Sequence, residues 1–321
     1  MGSKPLPSDV HVNKPLTNVA MRYLQDENEF IAGKVFPEVP VMKQSDVYYK
    51  FDKADWFRTE TGPRPLAAET AGATFGVSTD NYYCKVEGIH SDIDDRLRAN
   101  ADSVFKLDKI HTELVTRKNL LRREIQFGAA YFTTGIWTGS STGGDITPTT
   151  LFDVSGSTPL AVIGAQMDAM QENTGFRPNK LTFGQDVWTV LKNHAEIIGR
   201  LADSTDKMAS QRFVAALLGL DEILVSGATN NTAVEGAADV MSFMYKKDML
   251  LTYSPKTASI ELPSAGYTFN WTNYLGANAS GHRISKFRME PIRSDRIEGE
   301  MAYDQKLTGA DLGVFFDGVI S

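Results

Sequence analysis

The chain has 321 residues, of which 42% are hydrophobic and 23% are charged, a composition typical of a folded protein of about two domains. The formal net charge is −7, and this acidic balance argues against a protein that grips nucleic acid through a basic surface. The single cysteine, Cys84, excludes an intrachain disulfide and predicts synthesis in a reducing cytoplasm. No apolar run approaches the ~20 residues of a membrane helix, so no membrane association is expected.

Residues 1–45 are predicted to form an arm rather than a domain, because prolines interrupt the segment repeatedly. A short helix is expected around residues 18–26, where apolar side chains could share a face. The apolar run from Phe30 to Val41 has little to bury against itself, so another part of the protein or a neighbouring subunit should cover it. Phe30 and Phe36 are therefore candidate intersubunit contacts.

Residues 46–92 are predicted to form an extended β-hairpin loop. Two strand-like runs, 47–51 and 81–87, flank a long stretch that is rich in Gly, Pro, Ala and Thr. A loop of this length in a compact domain needs a reason, and contact between subunits is one. The candidate contacts on this loop are Trp56, Phe57, Arg58, Glu60 and Arg64.

Residues 100–132 give the strongest helix signal, with Asn100 or Asp102 as the cap. About 25 residues at 1.5 Å each correspond to a rod of roughly 40 Å. Its basic cluster could be a solvated face, or it could pair with an acidic loop of a neighbour, which makes Arg117, Arg122 and Arg123 candidate contacts. The predicted apolar stripe consists of Val104, Leu107, Ile110, Leu114, Leu121 and Ile125.

A Gly/Ser/Thr-rich connector at 133–157 leads into a helix that begins at Pro159 and ends before Gly175. A short buried strand at 181–183 and a helix at 186–201 follow, with Trp188 expected in the core and His194 in a core or capping role. The remaining elements are predicted as a helix at 207–217 and strands at 222–225, 240–245, 249–253, 267–271, 283–291, 296–303 and 312–320.

Catalytic, cofactor-binding and metal sites are not expected. The acidic run at 90–95 lacks the glycine and the twelfth-position glutamate of a calcium loop, and is better explained as a lead-in to the long helix. The Gly-rich stretch at 139–145 lacks the lysine of a phosphate-binding loop. Dispersed carboxylates leave no local signature, so a carboxylate-based hydrolase stays a distant alternative.

Taken together, the order of segments resembles the major capsid proteins of tailed bacteriophages with the Hong Kong 97-type fold. The more specific matches are RPN at 177–179 leading into LTFGQDVWTVLKNH, VAALLGLDEILV at 214–225, and YDQKLTGADLGVFFDGVI at 303–320. The resemblance implies an α+β subunit with an N-terminal arm (1–45) and an extended loop (46–92). It also implies a peripheral domain with a long spine helix (93–157 and 283–304) and an axial domain (158–282 and 305–321).

The resemblance further implies self-association into hexamers and pentamers that close into an icosahedral shell around a double-stranded DNA genome, without sequence-specific DNA binding. The subunit is then expected in the virion after synthesis in the host cytoplasm. Only about 45 residues precede the hairpin, so a separate scaffolding protein is expected, along with a portal and a possible decoration protein. The alternative within the same fold is an encapsulin-like nanocompartment shell around a protein cargo.

Overall fold

The structure is a computed structural model that describes residues 25–51, 53–101, 106–201, 209–258, 262–275 and 282–321. Most of the helix predicted at 18–26 lies outside these residues. The described helices are α1 (Ala32–Val35), α2 (Lys53–Phe57), α3 (Asp95–Asn100), α4 (Leu107–Tyr131), α5 (Pro159–Thr174), α6 (Gln185–Lys192), α7 (Ala195–Leu201), α8 (Gln211–Leu218) and α9 (Thr272–Leu275). The described strands are β1 (Glu38–Val41), β2 (Ser45–Phe51), β3 (Val77–Tyr83), β4 (Lys85–Asp94), β5 (Lys180–Gly184), β6 (Glu222–Ser226), β7 (Thr229–Asn231), β8 (Met241–Phe243), β9 (Met249–Thr252), β10 (Gly266–Trp271), β11 (His282–Met289), β12 (Ser294–Leu307) and β13 (Gly313–Phe316).

One sheet has five strands and is organised around the long strand β12. Strands β4, β10 and β11 all pair antiparallel with β12, and β1 extends the sheet by pairing parallel to β10. The spine helix α4 packs against β12 and β4. The approach is close at Gly299, where an added Cβ would lie 2.4 Å from Cγ1 of Val115. A glycine in the middle of this strand therefore lets the helix approach the sheet.

A second sheet has four strands in the order β13-β9-β5-β6. Its inner strands, β5 and β9, are buried on both faces, and they bury Lys180, Thr182 and Thr252 together with their apolar residues. Helices α5, α6 and α8 contribute to the hydrophobic cluster on one face of this sheet. The predicted apolar face of α5 is confirmed, because Leu160, Ile163, Met167 and Met170 are all buried there.

The opposite face of the four-stranded sheet meets the C-terminal half of α4 in an aromatic core. Leu250 of β9 and Phe315 of β13 reach this cluster from the sheet, and Phe127 reaches it from the helix. Edge-to-face ring contacts such as Phe36–Phe127, with centroids 5.3 Å apart, are a favourable arrangement for aromatic pairs. The aromatic core comprises Phe36, Phe127, Tyr131, Trp137, Tyr245 and Phe315.

The arm corrects a sequence-based expectation. Phe36 is only 1% exposed within its own subunit, and Phe30 is also buried. Residues 38–41 form β1, so the end of the arm is a strand of the subunit's own sheet. The apolar arm residues are thus covered by their own chain, and the two phenylalanines offer no surface to a neighbour.

The spine helix is shorter than predicted, and of the described residues in its predicted stripe only Leu107 is buried. It begins at Leu107, after the separate short helix α3, and residues 102–105 lie outside the described part of the chain. Leu114 is 42% exposed, whereas Val115, Asn119 and Arg123 are buried. The stripe predicted from periodicity is apolar, but the five-stranded sheet packs against a neighbouring face of the helix.

Three further elements differ from the sequence prediction. The helix predicted at 186–201 is divided into α6 and α7, because His194 Nδ1 accepts a hydrogen bond from the backbone N–H of Glu196 and caps a new helix start. The strand predicted at 240–245 is the short β8, and its first residues are exposed. Strand β10 lies in the range 158–282 that the resemblance implies for the axial domain, but it hydrogen-bonds with β12 in the five-stranded sheet.

Candidate assembly surface

A hairpin is present and its inner face packs on the five-stranded sheet, but its second strand is β3 (Val77–Tyr83) and not the predicted run 81–87, whose last residues belong to β4. Strand β2 pairs antiparallel with β3, from Ser45 opposite Tyr83 to Phe51 opposite Val77. Tyr82 stacks on Phe269 of β10, with ring centroids 4.5 Å apart, and Tyr48 lies against the same ring. Cys84 is buried beside them, and burial raises the pKa of its thiol to about 12. The cysteine is therefore an unreactive packing residue.

The outer face of the hairpin is apolar and open. Side chains alternate along a strand, so the residues between those that contact the sheet point away from it. Tyr49 is 72% exposed at the centre of this face. The apolar residues of the outer face are Val47, Tyr49, Phe51, Val77 and Tyr83, all of which are exposed. The polar residues Ser45, Thr79 and Asn81 lie on the same face. Exposed apolar residues that gather on one face mark a candidate interaction site.

The loop tip, residues 53–76, also exposes large apolar side chains. Trp56 is 66% exposed, Phe57 is similar, and Leu66 is fully exposed. The charged residues predicted as contacts on this loop, Arg58, Glu60 and Arg64, are exposed as well. The structure thus presents the predicted loop contacts together on one projection, although their role between subunits stays a prediction.

The base of the tip is fixed to the subunit's own helices and turns. Lys53 Nζ lies 2.6 Å from an Asp311 carboxylate oxygen. Phe57 rests on Gly175, where φ is +76° and an added Cβ would lie 2.6 Å from the Phe57 ring. These contacts fix the first residues of the tip on the subunit, and the residues after Phe57 project from that point.

The basic cluster of the spine helix pairs with acidic residues of its own chain, and its contact with a neighbour stays a prediction. Arg122 lies 3.2 Å from Glu87 at the base of the hairpin, and Arg123 lies 2.9 Å from Glu38 of the arm. Arg117 lies 3.4 Å from a third acidic residue, Glu27. The acidic arm and loop base fold back onto their own helix, so these charges are already matched before a neighbour arrives.

Asp80 joins the two strands of the hairpin electrostatically. Its carboxylate accepts hydrogen bonds from the Lys50 ammonium and the Tyr48 hydroxyl, both at 3.0 Å. The bond from Lys50 is the largest cause that lowers the pKa of Asp80 to about 2. The hydrogen-bonded carboxylate therefore stabilises the hairpin in its ionised form.

The described residues hold no arrangement suited to a metal ion: none of their His, Cys, Asp and Glu side chains form a group of three or more. Within the acidic run at 90–95, Asp92 forms a bidentate pair with Arg296, and Asp94 caps α3 through the backbone N–H of Arg96. His194 Nε2 lies 2.9 Å from the Ser157 hydroxyl, in addition to its capping bond. A search of the described residues for a helix long and apolar enough to cross a membrane found no candidate.

Sequence reasoning missed the outer face of the hairpin. The signal was present, since VYYKF at 47–51 carries aromatic or aliphatic side chains at both alternating sets of positions. A strand that packs on one side and faces water on the other should alternate between apolar and polar residues. Apolar residues on both sides predict that a second partner covers the strand.

The sequence of the chain is similar to two known phage proteins. The protein-family profiles searched do not match the chain. It is 26% identical over 330 residues to the major capsid protein of Pseudomonas phage JBD67, covering 100% of both chains. It is 24% identical over 315 residues to the major capsid protein of Burkholderia phage BcepMu, covering 96% of each.

Solved structures agree on the fold. A phage-related protein from Bordetella bronchiseptica RB50 matches with a TM-score of 0.67 and 18% identity, over 92% of this chain and 94% of that one. A subunit of the mature capsid of bacteriophage PhiM1 matches with a TM-score of 0.63 and 9% identity, over 96% and 92%. The SrpI encapsulin from Synechococcus elongatus PCC 7942 matches with a TM-score of 0.57 and 10% identity, over 97% and 94%.

The chain has the Hong Kong 97-like capsid fold. The full-length similarity to two phage proteins is more specific than the fold. Both of these relatives are named major capsid proteins, which points to a structural role for the chain.

Proposed function

We propose that this subunit associates with itself into hexamers and pentamers that close into an icosahedral shell around the double-stranded DNA genome of a tailed phage, and that it performs no catalysis. The observation that carries this proposal is the open apolar outer face of the hairpin, continued by the exposed aromatic tip. An isolated protein rarely exposes such a surface. In a closed shell, the surface of a neighbouring copy covers it.

The sheets support a division into two domains. We assign the five-stranded sheet and the spine helix to the peripheral domain, and the four-stranded sheet with α5, α6 and α8 to the axial domain near the centre of each ring. This assignment keeps the predicted ranges, except that β10 moves to the peripheral domain because it pairs with β12. Contacts between loop tips and adjacent subunits then hold the rings together.

Other proteins complete the particle in this proposal. A separate scaffolding protein guides assembly, a portal occupies one vertex, and a decoration protein is an optional addition. The net charge of −7 supports a wall that encloses DNA without gripping it. The contacting residues proposed between subunits are Trp56, Phe57, Arg58, Glu60 and Arg64, together with the outer face.

The test is size-exclusion chromatography and negative-stain microscopy of the full chain, with and without coexpressed phage structural genes. Tyr49→Asp should abolish closed shells while the subunit remains folded, because a charge at the centre of the outer face opposes its burial. Val154→Asp is the matched control, since Val154 is also an exposed aliphatic residue but lies in the connector outside the hairpin. If the Tyr49 variant forms unchanged shells, the outer face does not contribute to contacts between subunits and no longer supports the proposed function.

The encapsulin-like alternative is favoured by one observation, the fold similarity to the SrpI shell. The two functions differ in what the particle contains. Purified shells with nuclease-protected DNA support the phage capsid, whereas shells that copurify with a stoichiometric protein cargo support a nanocompartment. A strict monomer under every condition would argue against both and return attention to a hydrolase.

A further inference from the structure

Two charged side chains lie inside the subunit next to the arm. Glu124 of α4 is 0% exposed, and Lys180 of β5 is 6% exposed. Burying a charge is costly unless hydrogen bonds compensate for the lost water. The partners of these two residues therefore indicate what the charges do.

Both charges bind the backbone of α1, a helix of one turn in the arm. Glu124 Oε2 accepts hydrogen bonds from the N–H groups of Ile31 and Ala32 at 3.0 and 2.8 Å. Lys180 Nζ donates to the carbonyl oxygens of Lys34 and Val35 at 2.6 and 3.2 Å. An anion at the start of a helical turn and a cation at its end both complement the backbone dipoles. A turn this short has little stability alone, so it depends on these two partners.

The two charges are carried by different elements. Glu124 is in the C-terminal half of the spine helix, which packs on the five-stranded sheet and also meets the four-stranded sheet in the aromatic core. Lys180 is on a central strand of the four-stranded sheet. The Ser226 hydroxyl, at the end of β6, donates to the Glu29 carbonyl oxygen at 3.0 Å. Beyond the turn, Glu38 pairs with Arg123 of the spine helix and begins β1. The arm is therefore attached alternately to both sheets.

We propose that residues 29–41 act as an internal strap that fixes the five-stranded sheet relative to the four-stranded sheet, with Glu124 and Lys180 as its two attachment points. The angle between these sheets sets the shape of the subunit. This inference rests on the proposed function: if the subunits form a shell, the shape of each subunit sets the curvature between neighbours. The strap thus makes one subunit shape, and hence one particle size, the preferred outcome.

The other hydrogen bonds of Glu124 allow a substitution that keeps the shape of the side chain and removes its charge. Oε1 accepts from the Tyr245 hydroxyl at 2.7 Å and lies 3.3 Å from the Ser226 hydroxyl oxygen. A glutamine has the same shape: its amide oxygen can accept from both backbone N–H groups, and its NH₂ can donate to the two hydroxyls. Glu124→Gln should therefore keep the strap attached, whereas Glu124→Ala removes the attachment.

Hydrogen exchange with mass spectrometry on the full-length subunit tests the attachment. Peptides covering residues 29–38 should exchange about tenfold faster in Glu124→Ala and in Lys180→Met, the factor that ~1.4 kcal/mol produces. Glu124→Gln should stay within about twofold of the unaltered protein. Met167→Ala serves as a control, because Met167 is buried in the hydrophobic cluster of the four-stranded sheet, and it should not accelerate these peptides selectively.

Particle morphology tests the consequence. Glu124→Ala and Lys180→Met should give shells of mixed diameter or open sheets in negative stain, and Glu124→Gln should give uniform shells. Unchanged exchange at 29–38, or an equal rise across every peptide, would overturn the attachment. A selective rise at 29–38 with uniform shells would overturn the link to curvature.

If Glu124→Ala does not yield folded protein, Lys180→Met decides the question, since methionine fills the space of the lysine stem. If the unaltered chain forms no particles under any condition, the proposed function fails. The exchange measurement still decides whether the strap is attached at its two ends, because it needs only the isolated subunit.

Discussion

Single side chains in this subunit connect segments that are distant in sequence, and Asp80 is the simplest case. Its pKa of about 2 lies below the usual 3.8 because the Lys50 ammonium and other donors bind the ionised form. A carboxylate with a lowered pKa in the folded state stabilises the fold above its unfolded pKa, and this contribution is lost as the pH falls through the folded pKa. The hairpin should therefore weaken between pH 4 and pH 2.

Asp80→Asn should lower the melting temperature of the isolated subunit at pH 7, and the difference from the unaltered protein should shrink as the pH falls from about 4 to about 2. Differential scanning calorimetry across this range measures it. Lys50→Met, which removes the partner, should produce the same loss at pH 7 and add little in the double variant. A difference that persists undiminished at pH 2 would show that the carboxylate charge is not the cause.

Among the elements, the hairpin and the spine helix differ in how far sequence could predict them. The hairpin strands follow from alternating β-branched and aromatic residues bounded by Gly- and Pro-rich segments, so their existence is a local property. The existence of the spine helix is equally local, although its 25 residues begin at Leu107, later than the predicted start near residue 100. Its buried face was not, because Asn119, Arg123 and Glu124 are polar residues that the arm and the sheet bury. Only tertiary contacts reveal such positions.

The tip of the hairpin should be separable from the fold. Replacing Glu60–Thr74 with a short Gly/Ser linker should change the stability of the isolated subunit by no more than about 0.5 kcal/mol, as expected for exposed residues away from special contacts. Closed shells should be lost. Thermal unfolding and negative-stain microscopy on the same preparation measure both effects, and normal shells from the shortened chain would contradict the role proposed for the tip.

For the whole molecule, the aromatic core is where the two sheets meet. Phe127 of the spine helix packs with Leu250 and Phe315 of the four-stranded sheet. Phe152 is as deeply buried, but lies in the cluster of the four-stranded sheet alone. The two phenylalanines are therefore suitable for a matched comparison. Phe127 packs between the two sheets, whereas Phe152 packs only against the four-stranded sheet.

Phe127→Leu and Phe152→Leu should each destabilise the subunit by about 1–2 kcal/mol, a fraction of the 3–5 kcal/mol typical of Phe→Ala in a core. In Phe152→Leu, the most protected amides of both sheets should still exchange together, because their shared core is intact. In Phe127→Leu, the two sheets should lose protection unequally as their coupling weakens. Native-state hydrogen exchange of β5 and β12 peptides distinguishes the two. Equal losses in both sheets for both variants would show that the sheets are held together chiefly by other contacts, of which the arm is the foremost.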